Sequence, residues 1–230
     1  MRILIIGASS KMSLGYQLGE QWKKERGHDV FYASRSGKLG SKCDVTDHRQ
    51  VLRLVEKTQP DTIIQAAGIF FPAQELGKIE DYKKIQRHIL AKTYGTLLLL
   101  DAAARVKRVG NFVVLGGREV SGLSGYAGYT CGNGGAWALI QFAARHLSQL
   151  RTFFVDLPLV DDTTMGLKFK ADYGTLSARN GPSVDAEGVL YIVSSLVEGS
   201  VAGHRIGRSG DRLILNQDGE RIVLGEGWVA

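Results

Sequence analysis

The sequence predicts a doubly wound α/β fold, a parallel sheet covered by helices on both faces, and three observations support this. Short apolar runs bounded by turn residues alternate with stretches of helical period along the 230-residue chain. The first such run starts at Arg2 and passes through a loop of small residues straight into a helical stretch. No repeat, low-complexity tract or linker breaks the alternation, so a single domain over 1–230 is expected.

In chain order, a strand is expected at Ile3–Ile6, closed by Gly7, and another at Val30–Ala33, between Asp29 and Ser34. Thr62–Gln65 follows Pro60-Asp61, Phe112–Leu115 is flanked by glycines, and Phe153–Asp156 precedes Pro158. Helices fill the intervals at Gly15–Arg26, Arg49–Thr58, Asp81–Leu90, Thr93–Val106, Gly134–Ser148 and Ala186–Glu198. A last strand near Leu213–Leu215 is followed by Asn216-Gln217-Asp218-Gly219 and a second β-type run, the pattern of a hairpin. Between Asp161 and Pro182 clear periodicity is lost. Loops of that length in a compact domain are usually functional lids or disordered segments, and a substrate lid over 161–182 is expected in preference to simple disorder.

Composition narrows the function classes. With 44% apolar residues the chain can bury one substantial core. The N-terminus enters β-type sequence with no secretory leader, and no apolar stretch approaches the roughly 20 residues that span a bilayer. A cytoplasmic protein without membrane association is expected. Cys43 and Cys131 lie far apart without ligand spacing, which argues against a disulfide framework or a metal site. The net charge of +6 comes from basic residues interleaved with acids, as on solvated helix faces, so no nucleic-acid partner is expected.

Between the first strand and the first helix the chain reads Gly7-Ala8-Ser9-Ser10-Lys11-Met12-Ser13-Leu14-Gly15. Small residues there let the backbone approach a pyrophosphate, while the helix offers free N–H groups and its positive end to the anion. A tight strand-to-helix turn without a ligand would read the same way. Arg35, just past the second strand, stands where an acid would bind the ribose hydroxyls of NAD; a guanidinium there suits the 2′-phosphate of NADP instead. The expected ligand is NADP(H), on a Rossmann-type sheet.

At this point the chain resembles the short-chain dehydrogenase/reductase family over almost its full length. Asp44-Val45 matches that family's adenine-contacting pair, and Gln65-Ala66-Ala67-Gly68 resembles its Asn-Asn-Ala-Gly turn. Pro158 through Thr163, with Val160 between them, resembles the Pro-Gly-x-Val-x-Thr segment flanking the nicotinamide, with Leu159 in place of the glycine. The glycine loop, with Ser9, Lys11, Ser13 and the spacing to Gly15-Tyr16, is similar to that of the enoyl-acyl-carrier-protein reductase branch. The resemblance implies that Ala66, Ala67, Gly68, Pro158, Val160 and Thr163 border the cofactor, with Gly7, Ser9, Ser10, Lys11, Ser13 and Leu14 around its pyrophosphate.

The family's catalytic tyrosine, lysine, serine and asparagine are only partly kept. Tyr129 falls at the tyrosine position, and Asn133 occupies the lysine position four residues later. The serine position falls in Leu115-Gly116-Gly117, where no hydroxyl exists, and the asparagine position is Lys92. A free phenol has a pKa of about 10, and a nearby ammonium normally lowers it toward the working pH. Without that cation a tyrosine can still donate a proton during reduction but is a poor base near neutrality. The exchange suggests that cation and amide have traded places, Lys92 taking the lysine function and Asn133 contacting the ribose. Alternatively, Lys92 is a surface lysine. Tyr126 is a second candidate acid, since enoyl reductases similar at the glycine loop place a tyrosine seven residues before their lysine; the alternative is an aromatic wall against nicotinamide or substrate. Ser121 or Ser124 could replace the missing hydroxyl, and Glu119 is a reserve acid or base. Lys168 and Lys170 in the lid would favour an anionic substrate if they point inward. His48, His88 and His146 carry no assigned role.

Three function classes follow: an NADPH-dependent reductase of a carbonyl or activated alkene, a non-redox cyclase or isomerase on the same scaffold, and a catalytically inactive NADP(H)-binding regulator. Fold alone does not choose among them. The partner expected is a small-molecule substrate. The resemblance implies a homo-oligomer, dimer or tetramer, assembled through the Thr93–Val106 and Gly134–Ser148 helices, whose Leu97 to Leu100, Trp137, Leu139 and Phe142 would serve core and interface together.

Overall fold

The computed structural model describes residues 1–69, 79, 81–117, 127–157, 160, 162–173, 185–198, 212–215 and 222–225, with backbone alone at 169–173, 212–215 and 222–225. Its strands are β1 (Arg2–Ile6), β2 (Asp29–Ser34), β3 (Ser41–Lys42), β4 (Thr62–Gln65), β5 (Asn111–Gly117), β6 (Arg151–Leu157), β7 (Arg212–Leu215) and β8 (Ile222–Gly225). They form one sheet in the order β3-β2-β1-β4-β5-β6-β7-β8. Every neighbouring pair is parallel except β7 with β8, the expected hairpin partners, which run antiparallel.

The described helices are α1 (Leu14–Arg26), α2 (His48–Thr58), α3 (Tyr82–Ile89), α4 (Gly95–Arg105), α5 (Ala127–His146), α6 (Thr164–Tyr173) and α7 (Ala186–Glu198), with a π-helical turn at Leu90–Tyr94 joining α3 to α4. Alternate residues of each strand feed opposite faces of the sheet. Leu4, Ile6, Phe112, Val114 and Phe154 pack with Val51, Leu99 and Ile140 from α2, α4 and α5. Ile3, Ile5, Val113, Phe153 and Val155 pack with Leu18, Trp22, Val193 and Leu196 from α1 and α7. Ile6 at the end of β1 pairs with Ala33 of β2 on one side and Gln65 of β4 on the other. The chain winds outward in both directions from β1, so the strand ends at Ile6, Ala33 and Gln65 open the crevice where such sheets place ligands.

Three differences from the sequence expectation bear on the site. The short β3 was not expected; it lies where β2 and the chain before Asp44 run side by side. Helix α5 begins at Ala127 rather than Gly134. Its glycines lower intrinsic helix propensity, but tertiary contact requires two of them: a Cβ on Gly135 would lie 2.6 Å from Thr93, and one on Gly132 would lie 2.6 Å from the His88 ring. The segment expected as a lid carries α6, which has no apolar stripe to betray it and starts from Thr163, whose hydroxyl accepts the Gly166 N–H at 3.1 Å as an N-cap does. Residues 174–182 of the expected lid lie outside the described residues. Among the described residues no helix is long and apolar enough to cross a membrane.

Candidate active site

The turn after β1 is forced against the turn after β4. Gly7 adopts φ +112°, and a Cβ there would lie 2.5 Å from the Ala67 nitrogen and 2.6 Å from the Ala66 carbonyl carbon. Only glycine fits this conformation and this approach. The Gly7 and Ala8 N–H groups both donate to the Ala33 carbonyl, at 2.8 and 3.3 Å, while Ala66 N–H donates to Ile6. The glycine loop thus sits over the crevice between β1, β2 and β4.

Within that loop, Ser13 precedes α1 but does not cap it; its hydroxyl turns back to the Ser10 carbonyl at 2.6 Å. The first N–H groups of α1, from Leu14 and Gly15, therefore keep no side-chain acceptor, the arrangement that receives an anion. Ser9 and Lys11 are exposed on the loop surface, and Ser10 and Leu14 are half-buried. Arg35, just past β2, is exposed and forms no hydrogen bond or ion pair with the described residues. The adjoining Ser34 hydroxyl accepts the Gly37 N–H at 3.2 Å and shapes the turn that presents it.

Asp44 and Val45 part company. Asp44 is half-buried and accepts both the Thr46 N–H and hydroxyl, at 3.0 and 2.8 Å, whereas Val45 is buried against Gly95 of α4. Gln65 organises the far wall. Its Nε2 donates to the Ala91 carbonyl in the π-helical turn at 3.1 Å, and its Oε1 accepts the Ala67 N–H at 3.1 Å, so one buried side chain holds the turn Ala66–Gly68 and supports the locally widened helix. π-turns of this kind recur at functional sites. Gly68 itself is exposed, with His88 Cε1 and Met165 Cε each 3.9 Å from its Cβ position.

Helix α6 closes the other side. Val160 and Thr163 are buried, and the Thr163 hydroxyl donates to the Val160 carbonyl at 2.8 Å. Thr164 joins α6 to the glycine loop: its N–H donates to Met12 at 2.8 Å, and its hydroxyl lies 3.2 Å from that of Ser10. Lys168 is exposed. Pro158, Tyr126, Glu119, Ser121 and Ser124 and the Lys170 side chain fall outside the described residues.

The altered catalytic positions converge on one region. Tyr129, on the first turn of α5, donates its hydroxyl to the Ile69 carbonyl at 3.1 Å. Lys92 is 5% exposed, so the surface-lysine alternative does not hold; its ammonium donates to the Leu115 carbonyl at 2.5 Å. Asn133 is 2% exposed, and its Oδ1 accepts no hydrogen bond among the described residues. Gly116, at the serine position, has a packing cause: a Cβ there would lie 2.0 Å from the buried Phe154 ring.

Sequence reasoning missed His88. It is 1% exposed, its ring meets that of Tyr129 edge-on at 4.6 Å between centroids, and its Nδ1 accepts the Ile69 N–H at 3.3 Å. Burial, reinforced by the Lys92 charge, holds its pKa down to about 3. Its position four residues before Lys92 on a helix was the available signal, because that spacing stacks the two on one face.

A glycine loop at the switch point of a parallel sheet, with an open helix N-terminus above it, defines a dinucleotide-binding α/β protein of the Rossmann type. The family model of NAD dependent epimerases/dehydratases matches residues 3–131, more than half of the chain, and the chain belongs to that family. The fold is that of short-chain dehydrogenases/reductases. It is similar to a short-chain type dehydrogenase/reductase from Mycobacterium ulcerans, with TM-score 0.78 and 16% identity over 93% of this chain and 86% of that one. A 3-ketoacyl-(acyl-carrier-protein) reductase from Brucella melitensis, complexed with NADH, matches with TM-score 0.75 and 16% identity over 93% and 96%. A short chain dehydrogenase from Burkholderia cenocepacia, in complex with NADP, matches with TM-score 0.71 and 19% identity over 86% and 85%. No curated protein matches by sequence.

Proposed function

We propose that this protein is an NADPH-dependent reductase of a carbonyl or activated alkene, with Tyr129 as the proton donor. The observation that carries the reading is the placement of the Tyr129 hydroxyl, 3.1 Å from Ile69 O, directly after the Ala66–Gly68 turn that meets the glycine loop. A nicotinamide dinucleotide bound there supplies hydride. Gly7, Ser9, Ser10, Lys11, Ser13 and Leu14 would hold the pyrophosphate, and Arg35 the 2′-phosphate. Asp44 and Val45 would flank the adenine, Ala66, Ala67 and Gly68 the ribose and ring, and Pro158, Val160 and Thr163 the nicotinamide. The fit is supported by the α1 N-terminus, which has no side-chain cap, and by the exposed Arg35 side chain.

Tyr129 would protonate the substrate atom that becomes negative as hydride arrives. Asn133, with a buried carbonyl oxygen lacking a partner among the described residues, would take a ribose hydroxyl as donor. Lys92 would contribute the cation that position 133 lacks, and Tyr126 would be the second acid or a wall of the pocket. The same reading takes 1–230 as one domain, with 161–182 covering the substrate.

The name of the matching family favours one second reading, an isomerase or other enzyme without net redox change on this scaffold. Product formation with no net change in NADPH would select it. For the first reading, calorimetric titration with NADPH, NADP⁺, NADH and NAD⁺ should show tight binding of the phosphorylated pair. A screen of carbonyls and activated alkenes should then find substrate-dependent NADPH oxidation, lost in Tyr129→Phe. Absence of binding to any of the four nucleotides would sink the reductase.

A homo-oligomer is part of the proposal. The outer faces of α4 and α5 and the turn before them leave Leu90, Tyr94, Leu97 and Phe142 between 41% and 60% exposed around an apolar groove of about 450 Å³. Leu98, Leu99 and Leu100 face the core, so the core and interface roles fall on different residues of the same helix.

A further inference from the structure

We propose that His88 is a positioning residue for Tyr129, an acceptor that holds the Ala67–Ile69 turn and the tyrosine in one fixed arrangement beside the dinucleotide site. This rests on the reading of Tyr129 as the proton donor.

Both backbone groups of Ile69 are engaged by the pair. Its N–H donates to His88 Nδ1 at 3.3 Å, and its carbonyl accepts the Tyr129 hydroxyl at 3.1 Å. The two rings complete the closure edge to face, with an interplanar angle of 67° and centroids 4.6 Å apart. An imidazole that accepts at Nδ1 carries its proton on Nε2. Burial and the neighbouring Lys92 charge keep it neutral, so the acceptor persists across the physiological range. A cationic ring would present an N–H at both nitrogens and would repel the Ile69 donor.

Helix α5 is built to admit this ring. A Cβ on Gly132, one turn beyond Tyr129, would lie 2.6 Å from His88 Cδ2, 2.8 Å from Nε2 and 3.5 Å from Lys92 Cβ. Any larger residue at 132 would push the imidazole off the tyrosine. Three chain segments therefore meet at His88: α3, the turn after β4, and the first turns of α5. The direction of the phenolic O–H is set here by contact and hydrogen bonding, at the site where position 133 supplies an amide instead of a cation.

The test uses the full-length protein and two variants. His88→Phe keeps an aromatic ring but removes the acceptor; His88→Gln supplies a carbonyl acceptor without the ring. Three readouts are compared: hydrogen exchange of the Ile69 amide, NADPH affinity by calorimetry, and kcat and KM for NADPH oxidation with an aromatic 1,2-diketone. In His88→Phe the Ile69 amide should exchange about tenfold faster or more, and kcat should fall by about 10- to 100-fold, the scale of a misplaced reacting group, while KM and NADPH affinity stay within about threefold. His88→Gln should recover most of the lost kcat. An unchanged kcat with a deprotected Ile69 amide would overturn the proposal, as would a parallel loss of kcat and NADPH affinity that Gln does not rescue. If the wild type oxidises no NADPH with the diketone, the reductase reading is undermined separately. Positioning is then decided by NMR: loss of the His88–Tyr129 ring contacts and altered Tyr129 ring shifts in His88→Phe uphold it, and unaltered shifts overturn it.

Discussion

The Lys92 ammonium donates a 2.5 Å hydrogen bond to the Leu115 carbonyl, tying the π-helical turn between α3 and α4 to the C-terminal end of β5. Lys92→Met keeps the stem and removes the charge. Leu115 then loses this donor, a cost of about 1–3 kcal/mol partly offset because an ammonium no longer has to be buried. The charge also lowers the His88 pKa, so in Lys92→Met the imidazole should titrate above its present value of about 3, still held below an ordinary histidine by burial. NMR titration of the ring checks this; an unmoved titration would mean that the two groups are not electrostatically coupled.

Gly116→Ser restores the family's residue type at the serine position but not its function. The added Cβ would lie 2.0 Å from Phe154, a side chain with no exposed surface to retreat into. The expected outcome is destabilisation by about 1–3 kcal/mol, typical of overpacking, with no gain in turnover. Urea unfolding at neutral pH measures the first and NADPH oxidation the second.

Arg35→Ala should weaken NADP(H) binding by about 10- to 100-fold, the value of one lost charge-assisted hydrogen bond to phosphate, and leave NAD(H) affinity within about twofold. Equal weakening of both nucleotides in calorimetry would show that Arg35 does not read the 2′-phosphate.

His88 gives stability a distinct acid dependence. Its pKa of about 3 in the folded chain lies below the unfolded value near 6.5, so between those pH values the unfolded state binds more protons. Stability contributed at neutral pH is lost as pH falls through that window, by up to about 1.4 kcal/mol per pH unit from this group. His28, also lowered by burial, acts in the same direction. Urea unfolding at pH 7 and pH 5 should show a smaller difference in His88→Gln than in the wild type; an equal difference would count against this account.

Leu97→Glu places a charge on the exposed apolar face of α4 without touching the core, since Leu97 is 44% exposed. Sedimentation velocity should show the wild-type oligomer and a dissociated variant with the same far-ultraviolet circular dichroism. A wild type that sediments as a monomer would remove the oligomer from the proposal.

The central strands β1, β4, β5 and β6 were legible because they are buried on both faces. Ile3–Ile6 and Thr62–Gln65 read as continuous runs closed by glycine or small residues, and that pattern has few alternatives. The amphipathic α2 and the apolar α7 were legible from periodicity, and α7 spans the expected Ala186–Glu198. The sequence marked Gly7 as small for the approach of a pyrophosphate; the close approach in the structure is to the Ala66–Ala67 backbone. By contrast, α5 and α6 hide their helical character: Gly132 and Gly135 of α5 are there for His88 and Thr93, and α6 begins at a threonine cap without an apolar stripe.

By itself the sequence determined the doubly wound sheet, the loop at its switch point and the loss of the usual serine and lysine, because these depend on local period and on residue identity at a position. Only the tertiary structure decided what surrounds those positions. That Lys92 is buried, that Phe154 fills the space beside Gly116, and that His88 meets Tyr129 through Ile69 are contacts between segments far apart in the chain. Local pattern carries no information about which buried side chains share a cavity, and packing settles it.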